Sequence, residues 1–170
     1  MTVRTTYFGG LGSVVEPAED ELVLGVVRYP QEFVEDVVDR NVPALAPPPS
    51  LLDAYKTVES AAERDGADDP AATAWNSVDF EERYRGFIEN PGQQQVLSNL
   101  REQAADGTGV WLVCWEKDAT HCHRRLLAEI LAESAGVDIE HRPHPNTLER
   151  TKEDDEPEPT AIDDFGGDGR

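Results

Sequence analysis

The stretch that decides the fold is residues 109–132, GVWLVCWEKDATHCHRRLLAEILA. It begins with an unbroken apolar run at 110–113, which is typical of a strand buried on both faces of a parallel sheet. A polar turn follows, with Thr120 or Asp118 as the predicted N-cap of the next element. From about His121 onward, leucine and isoleucine recur at the spacing of an amphipathic helix. The stretch therefore predicts a strand, a loop and a helix, in that order.

This stretch also carries most of the reactive side chains. Both cysteines of the chain lie in it, Cys114 at the predicted strand end and Cys122 in the first turn of the helix. Strand ends and helix N-termini favour anions, and a thiol placed there beside histidine or arginine has a lowered pKa. The candidate catalytic residues are Cys114, Cys122, His123 and Glu116. The candidate ligand-binding residues are Arg28, Lys117, Arg124 and Arg125.

Three other interpretations of these side chains stay open. Thiols and imidazoles are ligands that zinc accepts, but their spacing matches neither C-x2-C nor H-x3-H, so we predict no metal and no other cofactor. The helix N-terminus and the arginines would also suit a module that binds a phosphate, a nucleotide or a nucleic-acid end without catalysing a reaction on it. In the third interpretation Cys114 packs under the sheet, Cys122 faces the core and His123 bonds a carbonyl. Glu116 could act as a base or pair with Arg124 or Arg125.

The same residues carry a family resemblance. The pattern C-W-E-K-x-x-x-x-C-H-R-R-L-L-A at 114–128 resembles the C-E-K-x-x-x-x-C-H-R signature of the DUF488 family. Upstream, Val-Arg-Tyr-Pro at 27–30 resembles the family's D-V-R-x-P, and Leu-Ala-Pro at 45–47 resembles a segment of one branch. Trp75, Phe80 and Tyr84 resemble an aromatic series of the family. The resemblance spans roughly residues 3–142 and implies a compact α/β domain, while the family's aspartate is replaced here by Val26.

Arg28 is the site candidate that lies outside the central stretch. Residues 2–8 and 22–28 are predicted strands, and the glycines at 9, 10 and 12 predict a turn or hairpin between them. Because Pro30 stops the second strand, Arg28 emerges at its end. If that strand is parallel to the strand at 110–113 and lies beside it, Arg28 and Cys114 share one crevice.

The remaining elements follow from periodicity, prolines and glycines. We predict helices at 31–40, at 51–64 with Ser50 as N-cap, at about 80–88 and at 93–105, and a final edge strand at 137–142. Residues 65–70 are a predicted solvated loop. The helix of the central stretch is predicted to end at Gly136, and the C-terminal half to form a βαβ unit.

The charge of the chain is unusual. It has 35 acidic residues against 15 basic ones, a net charge of −20, and only three lysines. This composition suits a halophile with a salt-rich cytoplasm, where a Debye length of ~3 Å at 1 M screens the self-repulsion. The acids are spread along the chain, which disfavours a dedicated acidic binding surface. The charge also disfavours nucleic acid as a partner, although it is compatible with a small positive pocket.

We therefore predict an α/β fold, a single three-layer domain with a small mixed, partly parallel sheet flanked by helices, over residues 1–150. Residues 151–170 are expected to be an acidic, disordered tail. The predicted function is an enzyme whose Cys/His/Arg site acts on a small anionic ligand, with a non-catalytic binding module as the alternative. No apolar run approaches the ~20 residues needed to cross a membrane, and no signal-type segment is evident, so a cytoplasmic location is expected.

Overall fold

A computed structural model describes residues 2–105, 107–145 and 147. Its strands are β1 (Val3–Tyr7), β2 (Leu22–Gly25), β3 (Arg40–Asn41), β4 (Val110–Cys114) and β5 (Ile139–His141). Its α-helices are α1 (Val34–Val37), α2 (Pro49–Arg64), α3 (Pro70–Ser77), α4 (Phe80–Ile88), α5 (Pro91–Ala105) and α6 (His123–Ala135). Short 3-10 turns occur at Phe8–Gly10 and Pro43–Leu45. The predicted tail at 151–170 lies outside the described residues.

The five strands form one sheet in the order β3-β2-β4-β1-β5. Every strand pair of this sheet is parallel, where a mixed sheet was predicted. Strand β4 lies at the centre and is buried at all five positions, as its continuous apolar run predicts. Helix α6 packs on β1, β4 and β5. The predicted α/β class, with helices flanking the sheet, is confirmed.

Of the turn or hairpin predicted between the first two strands, the turn is confirmed and the hairpin is wrong. β4 lies between β1 and β2, so these two strands do not pair with each other. The glycines do form a turn, in which Gly12 has a positive φ of 74° and its N–H donates to the Val15 carbonyl at 2.9 Å. The chain then crosses to a different position in the sheet. Turn residues specify a local bend, whereas the pairing partner depends on the whole sheet.

Strand β2 is shorter than predicted, because the Asn41 side chain takes over the bonding of the residues that follow it. β2 ends at Gly25, although the Val26 N–H still donates to the Val113 carbonyl at 2.9 Å. The Asn41 amide then bonds both the N–H and the carbonyl of Val27, at 3.2 and 2.9 Å. β2 and β4 are parallel neighbours, so Arg28 does lie beyond the same sheet edge as Cys114.

Two helices of the first half differ from the prediction. The helix predicted at 31–40 is only the single turn of α1, because Phe33 and Val37 are exposed and only Val34 and Val38 of the apolar set are buried. Helix α2 begins at Pro49, with Pro48 rather than Ser50 at the N-cap. Proline is well suited to the first helical position, where its missing N–H would have no partner in the helix.

Helix α3 was missed by the sequence prediction. Its start signal is present, since Pro70 occupies the first turn and an Asp69 carboxylate oxygen accepts from the Ala72 N–H at 3.0 Å. The helix was missed because the acidic stretch before it predicts a loop, and because eight residues are too few to show a clear helical period. Helix α5 likewise begins at Pro91, two residues before the predicted start.

Helix α6 ends as predicted and begins differently. Gly136 is its C-cap with a φ of 61°. Its N-cap is Cys122, without a side-chain cap, while the Asp118 carboxylate accepts from the Thr120 N–H at 2.9 Å inside the preceding loop.

Strand β5 lies at the edge of the sheet, where an edge or final strand was predicted, and it pairs with β1. Among the described helices, none is both long enough and apolar enough to cross a bilayer.

Candidate active site

Three reactive side chains meet where β4 ends and α6 begins. Cys114 is the last residue of β4, Cys122 is the N-cap of α6 and His123 is its first residue. Their exposed fractions are 4%, 3% and 7%, so all three are buried. One side-chain atom from each, two sulfurs and a ring nitrogen, lie within 4.8 Å of one another. We call this group the cavity floor.

The imidazole of His123 is held in a defined orientation. Its Nε2 lies 2.6 Å from the Val26 carbonyl oxygen, which can only accept, so the neutral ring carries its proton on Nε2. Nδ1 then has a free lone pair. It lies 3.8 Å from the Cys114 sulfur and 4.0 Å from the Cys122 sulfur, and Nε2 is almost as near to the Cys114 sulfur, at 3.9 Å. His123 is therefore positioned to accept a proton from either thiol.

The two cysteines have opposite pKa shifts. The pKa of Cys114 is lowered because the Cys122 thiol donates a hydrogen bond to it; burial opposes this shift, whereas the Arg124 guanidinium and the N–H groups of Trp115 and Glu116 reinforce it. The pKa of Cys122 is raised well above its usual range by burial and by its bond to Cys114. Cys114 therefore ionises first and Cys122 remains the protonated donor.

A cavity of about 330 Å³ opens above the floor. Apolar and aromatic side chains form most of its walls; they are Val27, Tyr29, Pro47, Leu52, Tyr55, Phe80 and Trp115. His121 also lines it. Four charged residues complete the lining, all at least partly exposed, and we call them the cavity rim; they are Arg28, Asp53, Lys56 and Glu116. Such a pocket suits a small ligand with an apolar body and a charged group.

Arg28 is the rim residue best placed to bind an anion. Its Nε and Nη2 donate to the carbonyls of Pro47 and Ala46 at 3.1 and 2.8 Å, which fixes the guanidinium. Within residues 2–105, 107–145 and 147, no carboxylate forms an ion pair with it. Lys56, by contrast, pairs with Glu59 at 3.0 Å and with Glu116 at 3.9 Å. An anion in the cavity would therefore meet an unneutralised charge at Arg28.

Arg124 does not line the cavity. It is completely buried, and its guanidinium donates to Thr5 Oγ1 at 3.4 Å, to the Lys117 carbonyl at 2.9 Å and to the Glu116 carbonyl. Successive helical residues point about 100° apart, so His123 faces the cavity while Arg124 faces the sheet. The contacts of Arg124 hold the loop after β4 against β1.

The other predicted ligand-binding residues also lie outside the cavity lining. Arg125 donates to Glu129 at 2.8 Å and to the Thr120 carbonyl at 3.1 Å, and its guanidinium lies over the Trp75 ring. Lys117 is exposed on the loop. Glu116 does line the cavity, but its carboxylate lies near Lys56 instead of pairing with Arg124 or Arg125 as the alternative interpretation expected.

Sequence reasoning missed the contribution of α2 to the site. This helix supplies Leu52, Asp53, Tyr55 and Lys56 to the lining, although it lies some sixty residues before the central stretch. Its amphipathic pattern marked a core helix but not a site. The available signal was Lys56 itself, one of only three lysines in the chain.

The cavity floor is the group of described residues that could hold a metal ion. Two sulfurs and an imidazole nitrogen would suit zinc, with a fourth position open toward the cavity. The absence of a metal stays a prediction.

Fold and site together define an α/β domain with a cysteine–histidine pair at the carboxyl edge of a parallel sheet. The chain belongs to the DUF488 family, since the family model DUF488-N3a, described as the active DUF488-N3 subclade, matches residues 10–135. This range contains every residue of the cavity floor and rim. No curated protein and no solved structure matches the chain.

Proposed function

We propose that this protein is an enzyme in which Cys114 is the nucleophile, His123 is the general acid and base, and Arg28 binds an anionic group of the substrate. The observation that carries the proposal is the position of Cys114. Its sulfur lies at the bottom of an apolar cavity, 3.8 Å from a nitrogen whose lone pair is free. The description of the matching branch as an active subclade agrees with a catalytic role.

The chemistry follows from the protons that these groups hold. His123 Nδ1 accepts the Cys114 proton, and the thiolate forms a bond to an electrophilic atom of the substrate. The leaving group departs with the proton from Nδ1. Water then gives a proton to Nδ1 and attacks the adduct, and the thiolate is released. The apolar walls keep bulk water away from the sulfur, and Arg28 is fixed in advance by its two bonds to backbone carbonyls.

Thiol alkylation tests the proposal without a known substrate. Iodoacetamide is applied to Cys122→Ser, which retains Cys114, and to Cys114→Ser, which retains Cys122, in molar salt with a chelator across a pH series. A serine hydroxyl at position 122 can still donate a hydrogen bond to Cys114. We expect Cys114 to react with an apparent pKa below the ordinary ~8.5 of a thiol, and Cys122 to react much more slowly. If Cys114 reacts only when the protein unfolds, it is not a nucleophile.

Inorganic phosphate at constant ionic strength is the probe for the anion site. Phosphate should slow alkylation of Cys114, and Arg28→Gln should remove that protection because it removes the fixed cation in the wall. Arg64→Gln is the matched control: it removes the same charge from the far end of α2 and should leave protection intact. Equal protection in both variants would exclude Arg28 as the anion-binding group.

A non-catalytic binding module is the second candidate. It is favoured by the burial of both sulfurs and by the unneutralised charge of Arg28. In that case phosphate binding, measured by calorimetry, would depend on Arg28 while Cys114 showed no enhanced reactivity. The alkylation series therefore separates the two functions.

We further infer that the protein works in a salt-rich cytoplasm. A net charge of −20 with only three lysines supports this setting, because strong screening removes the self-repulsion of so many carboxylates. The stability of the protein should therefore rise steeply with salt between dilute and molar concentrations.

A further inference from the structure

The catalytic scheme forms bonds with one of the two sulfurs at the cavity floor and gives Cys122 no bond-forming role. Cys122 is fully within the floor, and its sulfur lies within 4.8 Å of the Cys114 sulfur. Both thiols are free, and the cavity gives a small molecule access to them. A second thiol within 4.8 Å can attack the first sulfur once that sulfur is oxidised.

We propose that Cys114 and Cys122 form a peroxide-sensitive modification site, in which a hydroperoxide converts the pair to a reversible intramolecular disulfide. The inference rests on the proposed function only for the thiolate character of Cys114. It assigns Cys122 the part of a resolving cysteine. The modified form would have no nucleophile, so the enzyme would be switched off by peroxide and restored by a dithiol reductant.

The first step oxidises Cys114. Its thiolate attacks the terminal oxygen of the hydroperoxide; an S–O bond forms and the O–O bond breaks. The product is a sulfenic acid, and the leaving alkoxide or hydroxide takes a proton from solvent to become an alcohol or water. Hydrogen peroxide is small enough to enter the cavity, which measures about 330 Å³ and is lined by Cys114.

The second step forms the disulfide. His123 Nδ1, 4.0 Å from the Cys122 sulfur, accepts the Cys122 proton. The new thiolate attacks the Cys114 sulfur, an S–S bond forms, and the S–O bond breaks. The departing hydroxide takes the proton back from Nδ1 and leaves as water. Two electrons have then passed from the two sulfurs to one peroxide. Cys122 lies at the N-cap, outside the helical turns, so the closure to ~2.05 Å between sulfurs needs movement at the helix boundary and not within it.

The test is mass spectrometry of the full chain in molar salt with a chelator. Treatment with a stoichiometric amount of hydrogen peroxide should lower the mass by two hydrogens and reduce the free thiols from two per chain to none. A dithiol reductant should restore both. Non-reducing electrophoresis should show a monomeric chain, since the bridge is intramolecular. An intermolecular bridge, or two thiols that survive peroxide in the folded protein, would overturn the inference.

Single variants define the role of each sulfur. In Cys122→Ser, the reaction should stop at a sulfenic acid on Cys114, which dimedone traps as a stable adduct. In Cys114→Ser, Cys122 should stay reduced. His121→Asn is the matched control, because His121 lines the same cavity but lies outside the floor, and it should leave disulfide formation unchanged.

Failure of this inference is distinguishable from failure of the proposed function. If Cys114 alkylates with a lowered pKa but the wild-type protein forms no disulfide, the nucleophile stands and the resolving role of Cys122 is wrong. If Cys114 neither alkylates nor yields a dimedone adduct while folded, the nucleophile itself is wrong.

Discussion

The cavity floor and the cavity rim are built in different ways. The floor comes from residues 114–123, where a strand, a loop and a helix follow one another in the chain. The rim brings together Arg28 after β2, Asp53 and Lys56 from α2, and Glu116 from the loop after β4. The floor is buried, whereas the Lys56 and Glu116 side chains are at least half exposed. The comparison teaches that the reactive groups are placed by local sequence and the recognition groups by tertiary packing.

The two parts should also respond differently to substitution. Groups beneath the floor are buried and hydrogen-bonded, so their removal leaves partners unsatisfied and destabilises the whole fold. Rim side chains are solvated, so their removal should alter ligand binding and leave stability nearly unchanged. The predictions below test this contrast, beginning with the largest effect.

Arg124→Met should be the most destabilising change. It removes a completely buried guanidinium and leaves the Glu116 and Lys117 carbonyls without their donor. We expect the free energy of unfolding to fall by about 3 kcal/mol or more, measured by urea denaturation at fixed salt. Arg125→Met is the matched control on the next residue and should cost about 1 kcal/mol or less, because its ion pairs are partly solvated. Similar losses in the two variants would show that the loop does not depend on Arg124.

Tyr84→Phe tests the link between the floor and the rim. The buried Tyr84 hydroxyl donates to the Leu45 carbonyl at 2.6 Å, just before the segment whose carbonyls receive Arg28. Loss of this bond should lower the free energy of unfolding by about 1 to 2 kcal/mol and weaken phosphate protection of Cys114. Tyr29→Phe removes an exposed hydroxyl and should change stability by less than about 0.5 kcal/mol. If phosphate protects Cys114 equally well in Tyr84→Phe and in the wild type, the Tyr84 hydrogen bond does not influence anion binding at Arg28.

Lys56→Gln should affect recognition alone. The ammonium is more than half exposed and already pairs with Glu59 and Glu116. We expect phosphate protection of Cys114 to weaken by a factor of about two to five, with no resolvable change in unfolding, as for a solvated charge. Arg28→Gln should weaken protection more, since no carboxylate in the described part of the chain forms an ion pair with Arg28. The reverse order would mean that Lys56 is the principal anion-binding residue.

The smallest effect should be a pH dependence at His141. Burial lowers the pKa of His141, and the nearby Arg124 charge lowers it further. Its Nδ1 forms a hydrogen bond with Thr5 Oγ1, which also accepts a hydrogen bond from Arg124. The ring is therefore connected to the arginine that holds the loop after β4. The unfolded chain therefore binds a proton before the native state does. Stability from this group is complete above the unfolded-state histidine pKa of about 6.5 and is lost as the pH falls from that value through the lower pKa of the native state.

His141→Gln should remove the contribution of this histidine to the pH dependence of the free energy of unfolding. Urea unfolding between about pH 7 and pH 5 compares the variant with the wild type, at a salt concentration that keeps both folded. An identical slope in the two proteins would show that His141 is not held neutral in the native state.

Much of the fold was predictable because it is encoded locally. The buried strand β4, helix α6 with its glycine cap, and helices α2 and α4 follow from apolar runs and helical spacing. Some errors are local, such as the missed helix α3 and the N-caps of α2 and α6. Others concern long-range choices. Of the turn or hairpin predicted between β1 and β2, only the turn forms, because a glycine turn does not specify which strand lies alongside. The helix at 31–40 was too long because the sheet covers only part of its apolar set.

For the site, the sequence was enough to predict that the reactive side chains of the cavity floor lie together. The motif at residues 114–123 places two thiols and an imidazole within one strand–loop–helix unit, and the chain can bring them together through local geometry alone. Arg28 was also foreseeable, because proline ends its strand beside β4. These positions depend on bonds and turns between residues that are near in the chain.

Only the tertiary structure decided which of the charged residues face the cavity. Arg124 and Arg28 were equally good candidates for anion binding from the sequence. In the structure, Arg124 points from α6 toward the loop carbonyls, whereas Arg28 lines the cavity. Helix α2, from a distant part of the chain, adds Lys56 and Tyr55 to the cavity lining. The physical reason is that the direction of a side chain is set by the element that carries it, whereas its partners are set by elements that fold against it from elsewhere in the chain.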